Sequence, residues 1–325
     1  MTAIIPEERR VPTIVTTRRR IGGGDEVMPQ NRDAALDVKL YSNSNRQLRY
    51  QNLPDFDPKE SDDDIEKKLQ ERSDITYEMT KMSARGDCRG LIVSGPGGVG
   101  KTFLIDKALK EIKGDDLESK KVTSASGYST PVGLIKLLYD HRHPDSLLKL
   151  DDIDSVFNDE KALNFIKIAT DTTQQRVLSY ETNGTIITSD GEYLPPKFDF
   201  DGSLIFCTNL DFDVLIDKGS KLSPHFEALM TRSMYIDFAM RTKRDYLIRV
   251  FMIADEGLFD NVQGGALNAE EKKDVLNFID KYHRNLRECS LRMALKIGAL
   301  RKSAKKTDIH TWERKAILTC CRGIR

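Results

Sequence analysis

The chain has 325 residues and is 39% hydrophobic, with Lys plus Arg equal to Asp plus Glu at 51 each. That length allows about two domains with real cores, and the charge balance names no partner. No apolar run approaches the ~18 residues of a membrane span, and the N-terminal MTAIIPEERRVPT has no apolar core for a secretory signal. The five cysteines, Cys88, Cys207, Cys289, Cys320 and Cys321, are odd in number and lack C-x-x-C spacing. This argues against a disulfide framework and a zinc site, and points to a reducing, cytoplasmic setting.

Residues 1–60 show no hydrophobic periodicity and read as a flexible arm. Its Arg18-Arg19-Arg20 is either a solvated tail or a nucleic-acid contact. Ser61 is placed to cap a helix reaching Met82, with acids in its first turn and Ile65, Leu69, Ile75 and Met79 on one face. Leu91-Ile92-Val93 then reads as a short buried strand. Gly95-Pro96-Gly97-Gly98-Val99-Gly100-Lys101-Thr102 fits G-x-x-x-x-G-K-[ST] in full, and Phe103, Leu104, Ile105, Ala108 and Leu109 follow at helical spacing. Strand, glycine-rich turn and helix are the context this motif requires. Glycines let backbone N–H groups curl around phosphate oxygens, and the new helix turns its positive end to them. Lys101 is suited to the β- and γ-phosphates and the Thr102 hydroxyl to Mg2+. Gly95 to Phe103 is therefore expected to bind a nucleoside triphosphate, ATP, with Mg2+.

Lys121-Val122-Thr123 reads as a weak strand, and Thr130-Pro131 opens a helix that ends at His141-Arg142-His143-Pro144. The two histidines lack a third metal ligand and read as a surface turn. Ser146-Leu147-Leu148-Lys149-Leu150 then closes on Asp151-Asp152, some fifty residues after the glycine-rich loop. One carboxylate there suits the Mg2+ shell and its neighbour the attacking water. Lys149 interrupts the strand, and Asp152 stands where glutamate is usual. A helix around Leu163 to Ala169 follows. From Arg176 to Phe200 the pattern is β, with Val177–Tyr180 and Thr185–Thr188 flanking Asn183-Gly184, a hairpin signal. Ser203 to Thr208 reads as a buried strand ending at Asn209, on the sheet edge that also carries the loop and Asp151. A helix over Leu222–Met230 and a strand at Tyr235–Phe238 precede helices at Asp245–Ala254, Ala269–Tyr282 and Ser290–Lys302. Lys296 to Arg325 holds nine Lys and Arg against Asp308 and Glu313, with Trp312 among them. That end either contacts phosphate and stacks a base or packs as a terminal helix on the preceding helices.

This succession resembles the AAA+ ATPases over roughly residues 85–305, and LLKLDDIDSVFNDE and FDGSLIFCTNLDFD resemble members encoded by tailed bacteriophages. The resemblance implies a parallel α/β sheet of order 5-1-4-3-2 followed by a small helical lid. The division it implies is an arm at 1–60, a nucleotide-binding domain at 61–240, a lid at 241–305 and a basic tail at 306–325. By the same resemblance Lys101 and Thr102 match Walker A, and Asp151 and Asp152 match Walker B. Asn209 matches sensor 1, Arg232 the arginine finger that reaches a neighbouring subunit, and Arg292 sensor 2, with Arg287 its rival. A homo-oligomer, expected to be a hexamer, is implied. The hairpin before Asn209 lies where helicase-like members touch DNA, and otherwise is surface decoration. The function expected is ATP hydrolysis at subunit interfaces acting on DNA, as in a phage replication ATPase, helicase or helicase loader. The alternatives are remodelling of a protein partner, for which no aromatic-hydrophobic-Gly loop stands out between Asp159 and Gln174, and a slowly hydrolysing nucleotide-gated scaffold, encouraged only by Asp152.

Overall fold

The computed structural model describes residues 49–112, 121–172, 175–181, 184–304 and 309–323, all within the unit Ser44–Arg325. The arginine triplet of the expected arm and Asn183 lie outside the described residues. Helix α1, Asp62–Arg85, begins with a capping box: Ser61 Oγ accepts from the Asp64 N–H at 3.1 Å and Asp64 accepts from the Ser61 N–H at 3.2 Å. It ends at Gly86, which takes the left-handed conformation.

Five parallel strands form the main sheet: β1 Gly90–Ser94, β2 Lys121–Ser126, β3 Ser146–Asp151, β6 Ser203–Thr208 and β7 Met234–Asp237. A separate antiparallel ribbon joins β4 Val177–Ser179 to β5 Lys197–Asp199. The sheet order β2-β3-β6-β1-β7 is 5-1-4-3-2 when only its own strands are counted, as expected. Alternation along the strands explains why both faces are apolar. Leu91, Val93, Leu147, Ile205 and Cys207 pack with α1 and α2 (Lys101–Ile112) on one face. Ile92, Leu148, Leu150, Leu204 and Phe206 pack with α3 (Pro131–Asp140), α4 (Glu160–Ala169) and α6 (Ser223–Arg232) on the other. With both faces covered, the strands read as continuous apolar runs. The six-residue α5, Phe212–Asp217, capped by Asp211, is too short to show a period.

A second core is built by α7 Lys243–Asp255, α8 Ala269–Tyr282, α9 Leu291–Lys302 and α10 Ile309–Cys320, around Leu247, Phe259, Phe278, Ile297 and Trp312. The stretch expected as a basic tail thus contributes a helix. Trp312, Ala316 and Cys320 recur four residues apart and bury one face, with Trp312 only 2% exposed and its ring 5.4 Å from Phe278. Base stacking by Trp312 is ruled out by that burial.

Residues 49–60, expected to end a flexible arm, instead strap this helical core to α1. Tyr50 and Leu53 enter the core. Tyr50 Oη donates to Asp280 at 3.0 Å, and the Lys243 N–H donates to Asp55 at 2.8 Å. Arg244, 2% exposed, pairs with Asp62, donates to the carbonyls of Asp57 (3.2 Å) and Glu60 (2.7 Å), and lies 4.8 Å over the Phe56 ring. Single apolar residues spaced along an irregular segment give no periodicity, which is why the sequence reads as an arm.

The hairpin over 176–200 is present, but its pairing differs from the expected one. β4 pairs with β5 at the base, while Ile187 pairs with Tyr193 further out. Gly191 (φ 84°) supplies the turn that lets the Thr188 N–H bond to the Glu192 carbonyl at 2.8 Å. The turn at Ser189-Asp190-Gly191, rather than Asn183-Gly184, therefore lies between the paired Ile187 and Tyr193. His141 is also unlike a surface turn: it is buried, with Nδ1 2.8 Å from the Leu137 carbonyl.

Replacing Arg244 by Ala leaves Asp62 and two carbonyls without their cation. Breaking such a buried pair is expected to cost about 3 kcal/mol. Urea unfolding is expected to shift accordingly, with new protease cleavage within residues 49–60; a change under about 0.5 kcal/mol, as at an ordinary surface position, would contradict the strap.

Candidate nucleotide-binding site

The site lies at the carboxyl edge of β1, β3 and β6. Gly98 (φ 78°) and Gly100 (φ 97°) hold the loop in conformations a side chain disfavours, and the space is also taken. A Cβ on Gly98 would meet Ser290 Cβ at 2.9 Å, and one on Gly100 would meet Leu291 Cδ1 at 2.9 Å. The lid touches the loop directly, since the Leu291 N–H donates to the Gly98 carbonyl at 2.9 Å. Ser290, whose Oγ accepts from the Met293 N–H at 3.1 Å, caps α9 at that point.

Lys101 opens α2 and is buried. Its Nζ donates to the carbonyls of Gly95 (2.6 Å) and Pro96 (3.0 Å) and to Asn209 Oδ1 (3.1 Å). Burial lowers its pKa below the usual lysine value, and an anion beside it would favour its charged form. Thr102 Oγ1 donates to Asp151 Oδ1 at 3.1 Å. A hydroxyl and a carboxylate oxygen in contact form the hard donor set that suits Mg2+. Asp152 takes a left-handed φ of 54° beyond the end of β3, its N–H bonded to the Cys207 carbonyl at 3.1 Å. Its carboxylate accepts from Asn209 Nδ2 at 3.0 Å and lies 3.8 Å from Arg292 Nη2. Lys101, Asn209, Asp152 and Arg292 thus form one chain of contacts across the loop.

Arg292 and Arg287 are separated by this geometry. Arg292 comes from the first turn of α9, with Nη1 3.3 Å from where a Cβ on Gly97 would stand. Arg287 turns away, its Nε donating to the Thr319 carbonyl at 3.2 Å. Arg232 is not brought to this loop. It ends α6 just before β7, whose Met234 pairs with Leu91 near the opposite end of β1. There Nε donates to Asp171 at 3.2 Å and Nη1 to the Ala228 carbonyl at 3.0 Å.

Phe103, Leu258, Asn261, Leu291 and Leu295 line the same cavity, about 240 Å³ in volume, together with Gly98 to Thr102 and Arg292. Ligand pockets commonly run from about 300 Å³ upward, so this cavity is slightly smaller than that range. Of the lid residues there, Arg292 was expected, while Leu258, Asn261, Leu291 and Leu295 carry no sequence motif and were not. Two buried cations beside the site are also new. Lys149, on β3, donates to Asp106 at 2.5 Å and stands 3.9 Å from Asp151; Arg249, on α7, donates to the Val99 carbonyl at 3.3 Å. Their signal in the sequence was a charge inside an apolar run. Among the described residues no cluster of three or more His, Cys, Asp or Glu could hold a metal, and no helix is long and apolar enough to cross a membrane.

No protein-family model matches the chain. It is 32% identical over 266 residues, 82% of its length and 78% of the other's, to the uncharacterised 36.7 kDa protein of the nrdC–mobD intergenic region of Enterobacteria phage T4. Among solved structures it is similar to NtrX from Brucella abortus in complex with ATP, at 14% identity, TM-score 0.44 and 79% of this chain, and it spans only 55% of that chain. Domain III of the Thermotoga maritima replication initiation protein DnaA matches at 14% identity and TM-score 0.40, covering 75% of this chain and 89% of that one. Drosophila ORC bound to DNA matches at 12% identity and TM-score 0.41, covering 88% and 72%. The fold assignment rests instead on the strand order, the glycine-rich loop and the helical lid described above. The chain belongs to the family of the phage T4 protein, and its architecture is that of an AAA+ P-loop ATPase.

Proposed function

We propose that the chain binds ATP with Mg2+ in this pocket and hydrolyses it, with Arg232 of one copy reaching the phosphate chain held by the next. The observation that carries this is the convergence on one loop of Lys101, Thr102, Asp151, Asp152, Asn209 and Arg292. Phosphoryl transfer asks for positioning and cationic stabilisation more than covalent work. Lys101 is held by three oxygens that an incoming phosphate would replace. Thr102 and Asp151 would hold Mg2+, which when bound neutralises phosphate charge. Asn209 fixes the Asp152 carboxylate, which would orient the attacking water from a reach one methylene shorter than glutamate. Arg232 cannot serve its own loop from the far end of β1, so its contribution requires a second copy. Its half-exposed pair with Asp171 is worth at most about 1 kcal/mol and would yield to a stronger anion.

DNA as the target, expected from the sequence, keeps the exposed Arg314, Lys315 and Arg322 but not Trp312. The hairpin also carries Glu181, Asp190, Glu192 and Asp199 against Arg176 and Lys197, and Arg176 is buried. An acidic hairpin repels a phosphate backbone. Specific observations favour the second reading, a polypeptide partner: Tyr193 is 72% exposed near the hairpin tip. Tyr128, in the loop between β2 and α3, is 82% exposed behind Gly127. That is an exposed aromatic beside a glycine, in a different loop from the one searched in the sequence.

The test is ATP turnover per subunit as protein concentration rises. The expected result is a cooperative increase, loss of turnover in Lys101→Ala, and a fall of about 10^3 or more in Arg232→Ala with ATP binding retained. A rate per subunit that is constant with concentration and indifferent to Arg232 would contradict an active site shared between copies. Turnover in the presence of single-stranded DNA, double-stranded DNA or an unfolded polypeptide then separates the targets. Stimulation by polypeptide that Tyr128→Ala abolishes supports the second reading, and stimulation by DNA in low salt restores the first.

A further inference from the structure

Arg249 is 1% exposed, and among the described residues neither Nη1 nor Nη2 has a hydrogen-bond partner. Three other buried cations have a carboxylate partner: Arg244 has Asp62, Arg301 has Asp274 at 2.7 Å, and Lys149 has Asp106; buried Arg176 is hydrogen-bonded to the carbonyls of Ala169 and Gly202 through Nη1. Arg249 has only the Val99 carbonyl, at 3.3 Å from Nε, and the Phe238 ring, 5.7 Å from its guanidinium carbon. The carboxylate that acts on it most, Glu256, is engaged by Lys107 at 3.5 Å. Its Nη2 is 3.9 Å from where a Cβ on Gly100 would stand, which places the guanidinium beside the Val99–Gly100 turn, and Arg249 is not among the residues that line the cavity. Burial pushes its pKa down to about 10, which leaves it charged at neutral pH. Around it on α7, Leu247, Ile248, Val250 and Ile253 are all apolar and buried. Packing alone would be served by another such residue, and an unpaired buried charge is costly.

We propose that Arg249 is a positioning residue that supplies a fixed positive charge from behind the phosphate loop, neutralised when a phosphate chain occupies the inner face. This rests on reading Gly95–Phe103 as the nucleotide site. Because the charge is buried, its field is weakly screened and acts through the loop without contact. Its effect therefore scales with the number of phosphates. It also makes the closed arrangement of α7 against the loop more favourable when the loop is filled. Arg292, exposed on the pocket side, makes a separate and direct contribution.

The experiment is titration of ATP, ADP and AMP into the full chain, comparing wild type, Arg249→Met, Arg249→Lys and Lys101→Ala. The expected result for Arg249→Met is a loss of about tenfold for ATP, about 1.4 kcal/mol, less for ADP and least for AMP. Arg249→Lys is expected to recover most of the ATP-to-AMP ratio. An equal loss for all three nucleotides, with no recovery by lysine, would mean a packing role and overturn the proposal. If Arg249→Met gives no cooperative melt, Arg249→Gln takes its place; if neither neutral variant folds, the role is structural and the proposal falls. Failure of the underlying reading looks different: the wild-type chain would bind none of the nucleotides, or would bind them no better than Lys101→Ala.

Discussion

A single backbone hydrogen bond, from the Leu291 N–H to the Gly98 carbonyl, joins the phosphate loop to the first residue of lid helix α9. The sheet and the lid each have a core of their own, and the loop runs between them. Glycine at 98 and 100 is what permits that closeness, since a side chain at either position would meet Ser290 or Leu291. The same contact aims Arg292 at the loop, because Ser290 caps α9 there and Arg292 follows in its first turn. Arg249 grips the loop from the other lid helix. The loop is thus in contact with two lid helices. The strap of residues 49–60 ties the lid back to α1 through Arg244 and Asp62.

The electrostatics of the site have the same logic. Each cation that would face a phosphate already has an internal substitute: Lys101 has loop carbonyls and Asn209, and Arg292 has Asp152. The Arg292–Asp152 pair is exposed and worth little, whereas the Lys101 bonds are buried and charge-assisted, so an anion would have to replace them with bonds of equal quality. Lys149 is different. It is buried in the middle of β3, with Asp106 on α2 as its close partner and Asp151 beyond hydrogen-bond reach at 3.9 Å. It holds a positive charge next to the carboxylate that suits Mg2+, in a strand otherwise built of leucines.

Much of this was legible in the sequence because it follows from local chemistry. The loop motif, the strand that closes on Asp151 and the strand before Asn209 are contiguous, and the parallel sheet brings their ends to one edge. The helix caps at Ser61 and Thr130 are likewise written in single residues. What sequence missed depends on distant packing. The strap has too few apolar residues for a period. The sequence favoured Asn183-Gly184 as the hairpin turn because Asn-Gly is the stronger local signal, whereas the pairing of Ile187 with Tyr193 closes around Asp190-Gly191. Leu258, Leu295 and Arg249 meet the loop only because the lid folds over it, so no spacing announces them.

On the proposed reading, the phosphate loop and the lid together form a single nucleotide pocket. Amide hydrogen exchange with and without Mg·ATP tests it most directly. Slowed exchange is predicted in residues 95–102 and in 290–295 together, because both strengthen around the same ligand. Unchanged exchange in both segments at saturating Mg·ATP, or slowing confined to the loop, would contradict it.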